Sequence, residues 1–392
     1  LQMGSTMNFL AFPPRGLKPN TKMSPVELET AVGFVDELIK LGVLEPIPAG
    51  EELLNNCPLF LVPKPGQPGQ FRCIADMKKG GQNAGCVGDP VQMTSPQTIL
   101  PLLNAGGFSA SLDLAKYFHM FLTLESERNY MGLIHPGTGK HYRYRRLPMG
   151  STNSPGAAGR LGASILRLLY SRVPQLHGNP VANDLVFILE GRPFEPDWGS
   201  GRVRITATGT VAGNIWLHVD DLLLHGPTYS VVSAALSGIM DILVCLGFVC
   251  NPVKVVAPCQ AVKFCGFIYD TSGQPCLRIP SDKVARSLAQ IDYVLRPSPR
   301  RLCRLAVAAV TGTLQSLVPA TPNSAGASYL TPAYQCIHAV SLASFQGCHT
   351  AFYASPVTLS AECQDGFRWF RQALLNGLSE QLQLTVLASL GV

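Results

Sequence analysis

Two adjacent carboxylates, Asp220 and Asp221, interrupt an apolar stretch near the middle of the chain. They separate residues 215–219 from residues 222–224, which predicts a turn between two strands. Neighbouring carboxylates in apolar surroundings are costly unless a positive group meets them, although aspartate is also common in ordinary turns. A further aspartate, Asp113, ends a similar apolar segment upstream. If the two segments are neighbours in one sheet, the three carboxylates converge at a single edge.

Three converging carboxylates are typical of a site for hard divalent cations. Oxygen ligands without His or Cys suit Mg²⁺, which keeps several waters and recruits substrate phosphates. Two such ions held close together stabilise the attacking and leaving oxygens in phosphoryl transfer. The residue pattern therefore predicts a candidate two-metal site, with an ordinary polar turn as the alternative.

The composition indicates a folded protein in a reducing compartment. Charged residues make up 14% of the 392 residues and hydrophobic residues 46%, a combination that argues against disorder. No apolar run approaches the roughly 18 residues that a membrane span requires, and the N-terminus lacks a signal-peptide pattern. The twelve cysteines are scattered and contain no Cys-x-x-Cys, as expected of free thiols. We therefore expect no membrane partner and a cytoplasmic or nuclear protein that is not secreted.

The net charge of +6 is unevenly distributed along the chain. Residues 140–146 combine a lysine, a histidine and three arginines with two tyrosines, and residues 296–304 contain four arginines. Basic clusters of this kind are typical of a polyanion partner such as nucleic acid, and equally of a solvated surface. The sequence leaves both interpretations open.

The elements that must position these residues change in type along the chain. Residues 1–24 carry no periodic pattern and are interpreted as a loose arm. Ser24 and Glu27 form a capping-box pattern that predicts the start of a helix. Strands dominate up to about residue 280 and helices after it, which indicates an α+β fold with a separate helical lobe. Residues 177–213, with Gly and Pro throughout, are predicted to be an insertion that contains a hairpin.

Six short motifs, in one order, resemble those of reverse transcriptases. They are, in chain order, residues 61–64 (LVPK) with 71–76 (FRCIAD), 111–118 (SLDLAKYF), 147–155 (LPMGSTNSP), 218–221 (HVDD), 251–254 (NPVK) and 264–266 (FCG). One such motif would carry little weight, whereas six collinear motifs cover about residues 25–270. The chain therefore resembles a reverse transcriptase of the retroelement type, of the DIRS-like or LTR-like kind.

The resemblance implies a right-hand polymerase with an antiparallel-sheet palm, a fingers hairpin and a helical thumb. The implied divisions are an N-terminal arm (1–24), fingers (25–110), palm (111–276), thumb (277–345) and the start of a connection region (346–392). The palm division includes a fingers segment at about 120–150 and the insertion at about 177–213. RNase H and integrase or recombinase functions would lie on a downstream region or on another chain.

The resemblance also implies the roles of residues at the reaction centre. Asp113, Asp220 and Asp221 would hold two Mg²⁺ ions, with Mn²⁺ as an alternative. The Leu114 carbonyl would be a further metal ligand. Lys254 would be the general acid that protonates the leaving pyrophosphate.

Other residues would bind the incoming nucleotide, a dNTP. Lys64 and Arg72 would grip the triphosphate, a role that suits cations on a hairpin. Phe118 would exclude a ribose 2′-OH, which implies deoxynucleotide use, and an ordinary core aromatic is the alternative. Met149 and Gly150 would contact template and nucleotide, with Gly150 letting the backbone approach the nascent base pair.

Nucleic-acid contacts are implied further along the chain. The turn that would form the primer grip consists of Phe264, Cys265 and Gly266. The thumb residues that would grip duplex phosphates without reading sequence are Arg296, Arg300, Arg301 and Arg304.

Three positions depart from the family's pattern. His218 stands where the family has Tyr, Met149 where a polar residue is common, and Cys265 where Leu is usual. Such changes could alter template contact or fidelity without removing the chemistry.

The implied function is that of an RNA-directed DNA polymerase, a nucleotidyltransferase that extends a primer on an RNA or DNA template by two-metal phosphoryl transfer. A first alternative is a domesticated, inactive remnant that only binds nucleic acid or a protein partner. The complete set of three aspartates counts against it. A second alternative is an RNA-dependent RNA polymerase, against which Phe118 and residues 264–266 argue.

Overall fold

The computed structural model describes residues 5–64, 67–87, 94–172, 185–186, 202–207, 211–296, 302–321 and 324–378. The strands of its sheets pair in antiparallel fashion, and helices account for most of the C-terminal part. The predicted α+β class is therefore confirmed. None of the helices in this described part combines the length and the apolar character that crossing a bilayer requires.

Residues 5–23 form an extended strap across the body of the protein, instead of the predicted loose arm. The buried Glu127 carboxylate accepts a hydrogen bond from the Met7 N–H at 2.7 Å. Further along, the Asn56 side chain bonds to the backbone N–H and carbonyl of Lys18 at 2.6 and 2.8 Å. These contacts come from polar side chains far away in the sequence. No local hydrophobic pattern could therefore have predicted them.

The first helix, α1 (Pro25–Lys40), begins where the capping pattern predicts. The side chains of Ser24 and Glu27 each bond to the other residue's backbone N–H. Such a cap contributes about 1 kcal/mol. The helix ends before Gly42, whose φ of +63° lies in the left-handed region that glycine adopts without strain. Its buried face consists of Ala31, Val35 and Leu38.

Small sheets and short helices follow α1. The strands are β1 (Leu44–Pro46), β2 (Leu59–Pro63), β3 (Phe71–Ala75), β5 (Gly132–Ile134) and β6 (His141–Tyr144). Of these, β1, β2 and β3 contact α1. The helices are α2 (Met77–Gly80), α3 (Gln82–Gly85) and α4 (Pro96–Ile99). One sheet has the order β1–β6–β5, and β2 and β3 form the predicted hairpin.

A central sheet carries the three aspartates. Its strands are β4 (Phe108–Ala115), β7 (Leu185–Val186), β8 (Arg202–Ala207), β9 (Val211–His218), β10 (Asp221–Gly226), β11 (Val249–Cys250) and β12 (Val256–Cys259). Their order is β11–β4–β10–β9–β8–β7, and β12 also pairs with β4. The strands β7 and β8 belong to the predicted insertion, so its hairpin extends one edge of this sheet. Residues 177–184, 187–201 and 208–210 of the insertion lie outside the described part of the chain.

Helices and a second sheet complete the fold. The helices are α5 (Ser154–Arg172), α6 (Tyr229–Cys245), α7 (Ser281–Leu295), α8 (Arg304–Gln315), α9 (Gly326–His338), α10 (His349–Ala354) and α11 (Ala361–Leu375). The second sheet is formed by β13 (Ala261–Phe264), β14 (Phe267–Asp270) and β15 (Cys276–Arg278). A short pair, β16 (Leu302–Cys303) with β17 (Pro356–Val357), lies among the C-terminal helices. Short 3-10 segments are Leu100–Leu102, Tyr117–Met120, Glu125–Tyr130, Pro252–Lys254, Val318–Ala320 and Leu342–Phe345.

The hydrophobic residues gather into separate clusters. The largest joins the central sheet to α1, α5 and α6, and it contains the buried Tyr117. A second lies among α7, α8, α9 and α11 around Phe367 and Phe370. A third joins the second sheet to the central sheet through Trp216 and to α11 through Ala373. The C-terminal helices therefore have a core of their own, as the predicted separate helical lobe requires.

A buried histidine lies on β10, at the end of the strand away from the aspartates. His225 is 2% exposed, and its Nε2 accepts the Asn104 N–H at 2.9 Å. Its Nδ1 lies 2.9 Å from the Ser109 hydroxyl oxygen, so a neutral ring with its proton on Nδ1 satisfies both contacts. Burial lowers the pKa of His225 to about 4.

We expect this histidine to make the fold less stable in mild acid. Its pKa is about 4 in the folded chain against 6.5 for an ordinary histidine, so below pH 6.5 the unfolded chain binds a proton that the folded chain does not. The free energy of unfolding therefore falls by about 2 kcal/mol between pH 7.5 and pH 5. Urea unfolding at both pH values should show a smaller fall in the free energy of unfolding for His225→Gln than for the parent. Equal losses would contradict this account.

Candidate active site

Three aspartates lie where β4 meets the β9–β10 hairpin. Asp113 and Asp221 are direct cross-strand partners, and Asp221 also pairs with His218 across the hairpin. Directly opposed residues of an antiparallel pair project from the same face, with Cβ atoms about 4.5–5.5 Å apart. The Leu114 N–H donates to the Asp220 carbonyl at 2.8 Å, which fixes Asp220 beside the same strand. The structure thus brings together the aspartates and the leucine that the sequence singled out.

The turn of this hairpin is strained. Val219 has a φ of +59°, in the left-handed region that β-branched residues rarely adopt. Asp220 does not share this positive φ, and a two-residue turn of that kind normally has glycine at its first position. Strain of this kind costs about 1–3 kcal/mol and persists where the surrounding structure fixes the backbone. Val219 packs against the largest hydrophobic cluster, so Asp220 beside it occupies a defined position.

The aspartates oppose one another's ionisation. Burial, and then the charges of Asp220 and Asp113, raises the pKa of the Asp221 carboxyl. Burial likewise raises the pKa of Asp220, and the charge of Asp113 adds to this effect. A nearby positive charge would relieve both penalties. The cluster therefore favours the binding of a cation.

Lys254 brings a positive charge into this cluster. Its Nζ lies 2.9 Å from Asp113 Oδ2, with the lysine side chain 60% exposed and that of the aspartate 13%. The hydrogen bond to Asp113 raises the pKa of Lys254, which keeps the amine protonated at neutral pH. The preceding turn is anchored to β4, because the Asn251 N–H donates to the Asp113 carbonyl at 3.0 Å.

The donor set suits a hard divalent cation in its chemistry. It consists of carboxylate and carbonyl oxygens, and the raised pKa values of Asp220 and Asp221 are what a bound cation would lower. Among the described residues, no three His, Cys, Asp or Glu side chains are close enough to form a metal site as they stand. Lys254 occupies one oxygen of Asp113. Cation binding and this ion pair therefore compete for the same carboxylate.

The loop that precedes α5 ends in an exposed tip. The Ser154 hydroxyl donates to the Pro148 carbonyl at 2.6 Å and closes the base of the loop. Met149, at the tip, is 59% exposed. Gly150 has a φ of +96°, and a Cβ there would lie 3.4 Å from the Ala75 carbonyl oxygen. A side chain at Gly150 would thus be strained by the positive φ, so the loop conformation itself favours glycine there.

The two predicted triphosphate-binding cations lie on the β2–β3 hairpin. Arg72 is exposed on β3, opposite Val62. Lys64 follows β2, and its Nζ lies 3.4 Å from Gln70 Oε1. Within the described ranges, no ion pair engages Arg72 or Lys64. Both cations are therefore available to an anionic ligand.

Phe118 lies in the 3-10 segment that follows β4. The ring is partly buried and packs against the largest hydrophobic cluster. It meets Tyr117 edge-on, with ring centroids 6.1 Å apart and an interplanar angle of 68°. Because the ring combines a core contact with an exposed part, its position accommodates both the predicted sugar gate and an ordinary core aromatic.

The turn between β13 and β14 lies beside the aspartate hairpin. Cys265 and Gly266 form it with positive φ values of +47° and +79°. Phe264 is 3% exposed, and its ring meets that of His218 edge-on at 6.4 Å. Burial raises the pKa of the Cys265 thiol to about 12, and the charges of the nearby Asp pair add to the effect. The predicted primer-grip residues are thus neighbours of the predicted metal ligands.

Foamy viral protease–reverse transcriptase structures resemble this chain in overall fold. The complex with an RNA/DNA hybrid matches with a TM-score of 0.62 and 18% identity, over 95% of this chain and 39% of that one. The complex with dsDNA matches with a TM-score of 0.60 and 18% identity, over 95% of this chain and 62% of that one. The dRH form in complex with ds DNA matches with a TM-score of 0.60 and 19% identity, over 95% of this chain and 51% of that one.

The chain has a reverse-transcriptase-like fold. The likeness concerns the fold alone, since the identities are 18–19%. The chain spans 39–62% of the length of these structures. No protein-family model matches the sequence.

The predicted phosphate-binding arginines of this reverse-transcriptase-like chain have different surroundings. Arg296 is exposed at the end of α7, whereas Arg300 and Arg301 lie outside the described residues. Arg304 is 5% exposed, and its guanidinium donates to two backbone carbonyls of the same lobe at 3.1 and 3.0 Å. The predicted phosphate contact does not fit Arg304, because its donors are turned inward.

The basic cluster at residues 140–146 is internal only in part, because Lys140, His141 and Arg145 are exposed. Arg143 is 2% exposed, with Nε 2.7 Å from Glu45 Oε1 and Nη1 2.6 Å from Glu51 Oε2. Arg146 donates to two backbone carbonyls at 3.0 and 3.3 Å. Arg143 therefore stabilises the fold and does not face a polyanion, whereas for the exposed residues of the cluster the polyanion interpretation stays a prediction.

One residue beside the site was not singled out by the sequence. Asn83 of α3 bonds to the loop that precedes α5, at Gly150 and Thr152. Asparagine and glycine are both typical turn residues, so the local sequence around Asn83 gives no signal of this contact.

Proposed function

We propose that the chain is an RNA-directed DNA polymerase of the retroelement type, a nucleotidyltransferase that adds deoxynucleotides to a primer 3′-OH. The observation that carries this proposal is the register of β4 against β10, with Asp113 opposite Asp221 and Asp220 in the adjoining turn. It is supported by the reverse-transcriptase-like fold. The foamy viral structures that resemble the chain hold double-stranded DNA or an RNA/DNA hybrid. A primer–template duplex is therefore the proposed partner.

Each part of the fold takes a role in this proposal. The central sheet, with β13–β15, is the palm that carries the reaction centre. The β2–β3 hairpin, α1 and the β1–β6–β5 sheet are the fingers, which close over the nucleotide. The helices from α7 to α9 are the thumb, which contacts the duplex.

The incoming nucleotide is bound from two sides. Lys64 and Arg72 lie on the fingers hairpin with no ion pair in the described part of the chain, so their charge can hold the triphosphate. Met149 and Gly150 face the nascent base pair from the exposed loop tip. The turn at residues 264–266 holds the primer end close to the aspartates.

The reaction centre consists of carboxylates and one ammonium group. Asp113, Asp220, Asp221 and the Leu114 carbonyl would hold two Mg²⁺ or Mn²⁺ ions. When bound, these ions would supply charge stabilisation of the attacking and leaving oxygens. Lys254 Nζ holds its proton at neutral pH and would give it to the leaving pyrophosphate. The charge of Lys254 also offsets the repulsion among the aspartates until substrate arrives.

A nucleic-acid-binding remnant without catalysis is the second candidate. The observation that favours it is the ion pair between Lys254 and Asp113, which occupies a proposed metal ligand. His218 in place of the family's tyrosine points the same way. This candidate differs from the first in one respect that can be measured, because it binds primer–template without extending it.

We expect Phe118→Ala to admit ribonucleotides. If Phe118 excludes the 2′-OH, its truncation should raise the relative kcat/KM for ribonucleotides by about 10- to 100-fold, the range for one small group in a pocket. Single-nucleotide extension with dNTP and NTP, side by side, measures this ratio. Phe345→Ala makes the same change in the helical lobe and should leave the ratio unchanged. A parent that prefers ribonucleotides would point to an RNA polymerase instead.

A further inference from the structure

The exposed tip of the loop before α5 is held by a side chain from another element. Asn83 donates from Nδ2 to the Gly150 carbonyl at 3.2 Å, and its Oδ1 accepts the Thr152 N–H at 2.9 Å. One amide therefore satisfies a donor and an acceptor of the loop backbone together, as a neighbouring strand would. The two bonds fix the peptide groups on either side of Ser151.

The tip needs such an external hold. Gly150 has a φ of +96°, and glycine has little conformational preference of its own that would keep Met149 in one place. The bond from Ser154 to the Pro148 carbonyl closes only the base of the loop. The bonds from Asn83 tie the Gly150 carbonyl and the Thr152 N–H to α3, and so support the tip from another element.

The short helix α3 is itself fixed on two sides. Gln82 is 1% exposed, and its Nε2 donates to Asn55 Oδ1 at 2.8 Å and to the Tyr130 carbonyl at 3.1 Å. On the other side, the Gly85 carbonyl accepts the Leu10 N–H of the strap at 2.9 Å. A Cβ at Gly85 would lie 2.1 Å from a strap carbonyl oxygen, so the strap and the helix are in close contact. Asn83 thus reaches the loop from a rigid support.

We propose that Asn83 is a positioning residue for the incoming nucleotide, because it holds Met149 and Gly150 in the conformation that meets the nascent base pair. This inference rests on the proposed polymerase function. Asn83 contacts the loop backbone and acts on the nucleotide only through the tip. Its loss should therefore weaken nucleotide binding more than it slows turnover.

Steady-state kinetics separate these effects. Asn83→Ala is expected to raise the KM for dNTP about tenfold, with kcat changed by less than about threefold, because two modest hydrogen bonds are lost. The affinity for primer–template should not change. In the double variant with Met149→Ala, the KM for dNTP should rise by clearly less than the product of the two single increases, since both residues act at the same tip. Asn376→Ala, the same change at the exposed end of α11, should leave all three quantities as in the parent.

Hydrogen exchange tests the positioning itself, independently of activity. The Thr152 N–H should exchange about tenfold faster in Asn83→Ala. In Asn83→Asp, which keeps the Oδ1 acceptor, it should stay protected. A parent that extends no primer would remove the polymerase proposal, while the exchange at Thr152 would still decide whether Asn83 holds the loop. Unchanged exchange in Asn83→Ala, or a KM for dNTP equal to that of the parent in an active variant, overturns the inference.

Discussion

Asp221→Asn is expected to lower primer extension by about 10³-fold or more and to leave the fold at least as stable as the parent. The activity falls because the variant removes one of the carboxylates proposed to hold the metal ions. The stability does not fall, because burial and the charges of Asp220 and Asp113 raise the pKa of Asp221. A carboxyl with a raised pKa in the fold costs stability once it is ionised, so at neutral pH its neutral replacement removes a penalty. Extension assays and thermal unfolding at pH 7.5 measure the two effects.

The choice of Asp221 and of its control follows from the ion pairs. Replacing Asp113 would leave Lys254 without its carboxylate partner, whereas Asp221→Asn keeps that pair. Asp365→Asn is the matched control, because Asp365 is exposed and forms an ion pair with Arg368 on its own helix. It should leave extension unchanged. Extension by Asp221→Asn within tenfold of the parent would contradict the proposed role of the aspartates.

Arg304→Ala is expected to lower the free energy of unfolding of the helical lobe by about 3 kcal/mol, since hydrogen bonds from a buried charged donor are among the stronger ones. The guanidinium donates to the Ile337 carbonyl at 3.1 Å and to the Pro356 carbonyl at 3.0 Å, and also to the Ser355 hydroxyl. It lies over the Phe352 ring, 5.4 Å from the centroid. Truncation leaves these acceptors unsatisfied and opens a cavity. Urea unfolding followed by the fluorescence of Trp369, in the same lobe, reports the loss.

Arg296 provides the contrasting variant. It is exposed, so Arg296→Gln should change stability by less than about 0.5 kcal/mol. If Arg296 contacts a phosphate, the same variant should make primer–template binding less dependent on salt. The slope of the logarithm of the binding constant against the logarithm of the salt concentration should become shallower by about one. Unchanged stability of Arg304→Ala together with weaker primer–template binding would reverse the assignment of the two arginines.

The parts of the fold that follow from local rules could be predicted from the sequence. The cap at Ser24 and the helix Ser281–Leu295 lie where the patterns place them. The convergence of Asp113 with Asp220 and Asp221 is expected if their apolar segments are neighbours in one sheet, and β4 and β10 are such neighbours. Alternation and capping depend on neighbours in the sequence, so one chain is enough to recognise them.

What could not be predicted depends on contacts between distant elements. Arg143 and Arg304 look like surface cations in their local sequence, but their partners lie on other strands and helices. The strap shows no apolar period because it is fixed by side chains such as Glu127, far along the chain. Asn83 reaches the loop only in the folded protein. Counting charges along a segment therefore overestimated the number of cations that face solvent.

The most direct test of polymerase activity is the extension of a labelled DNA primer on an RNA template by the parent chain, with dNTP and Mg²⁺. We expect products lengthened by the deoxynucleotides that the template specifies, and none when the template is omitted. A folded chain that binds the primer–template but extends it with neither Mg²⁺ nor Mn²⁺ would instead be a nucleic-acid-binding remnant.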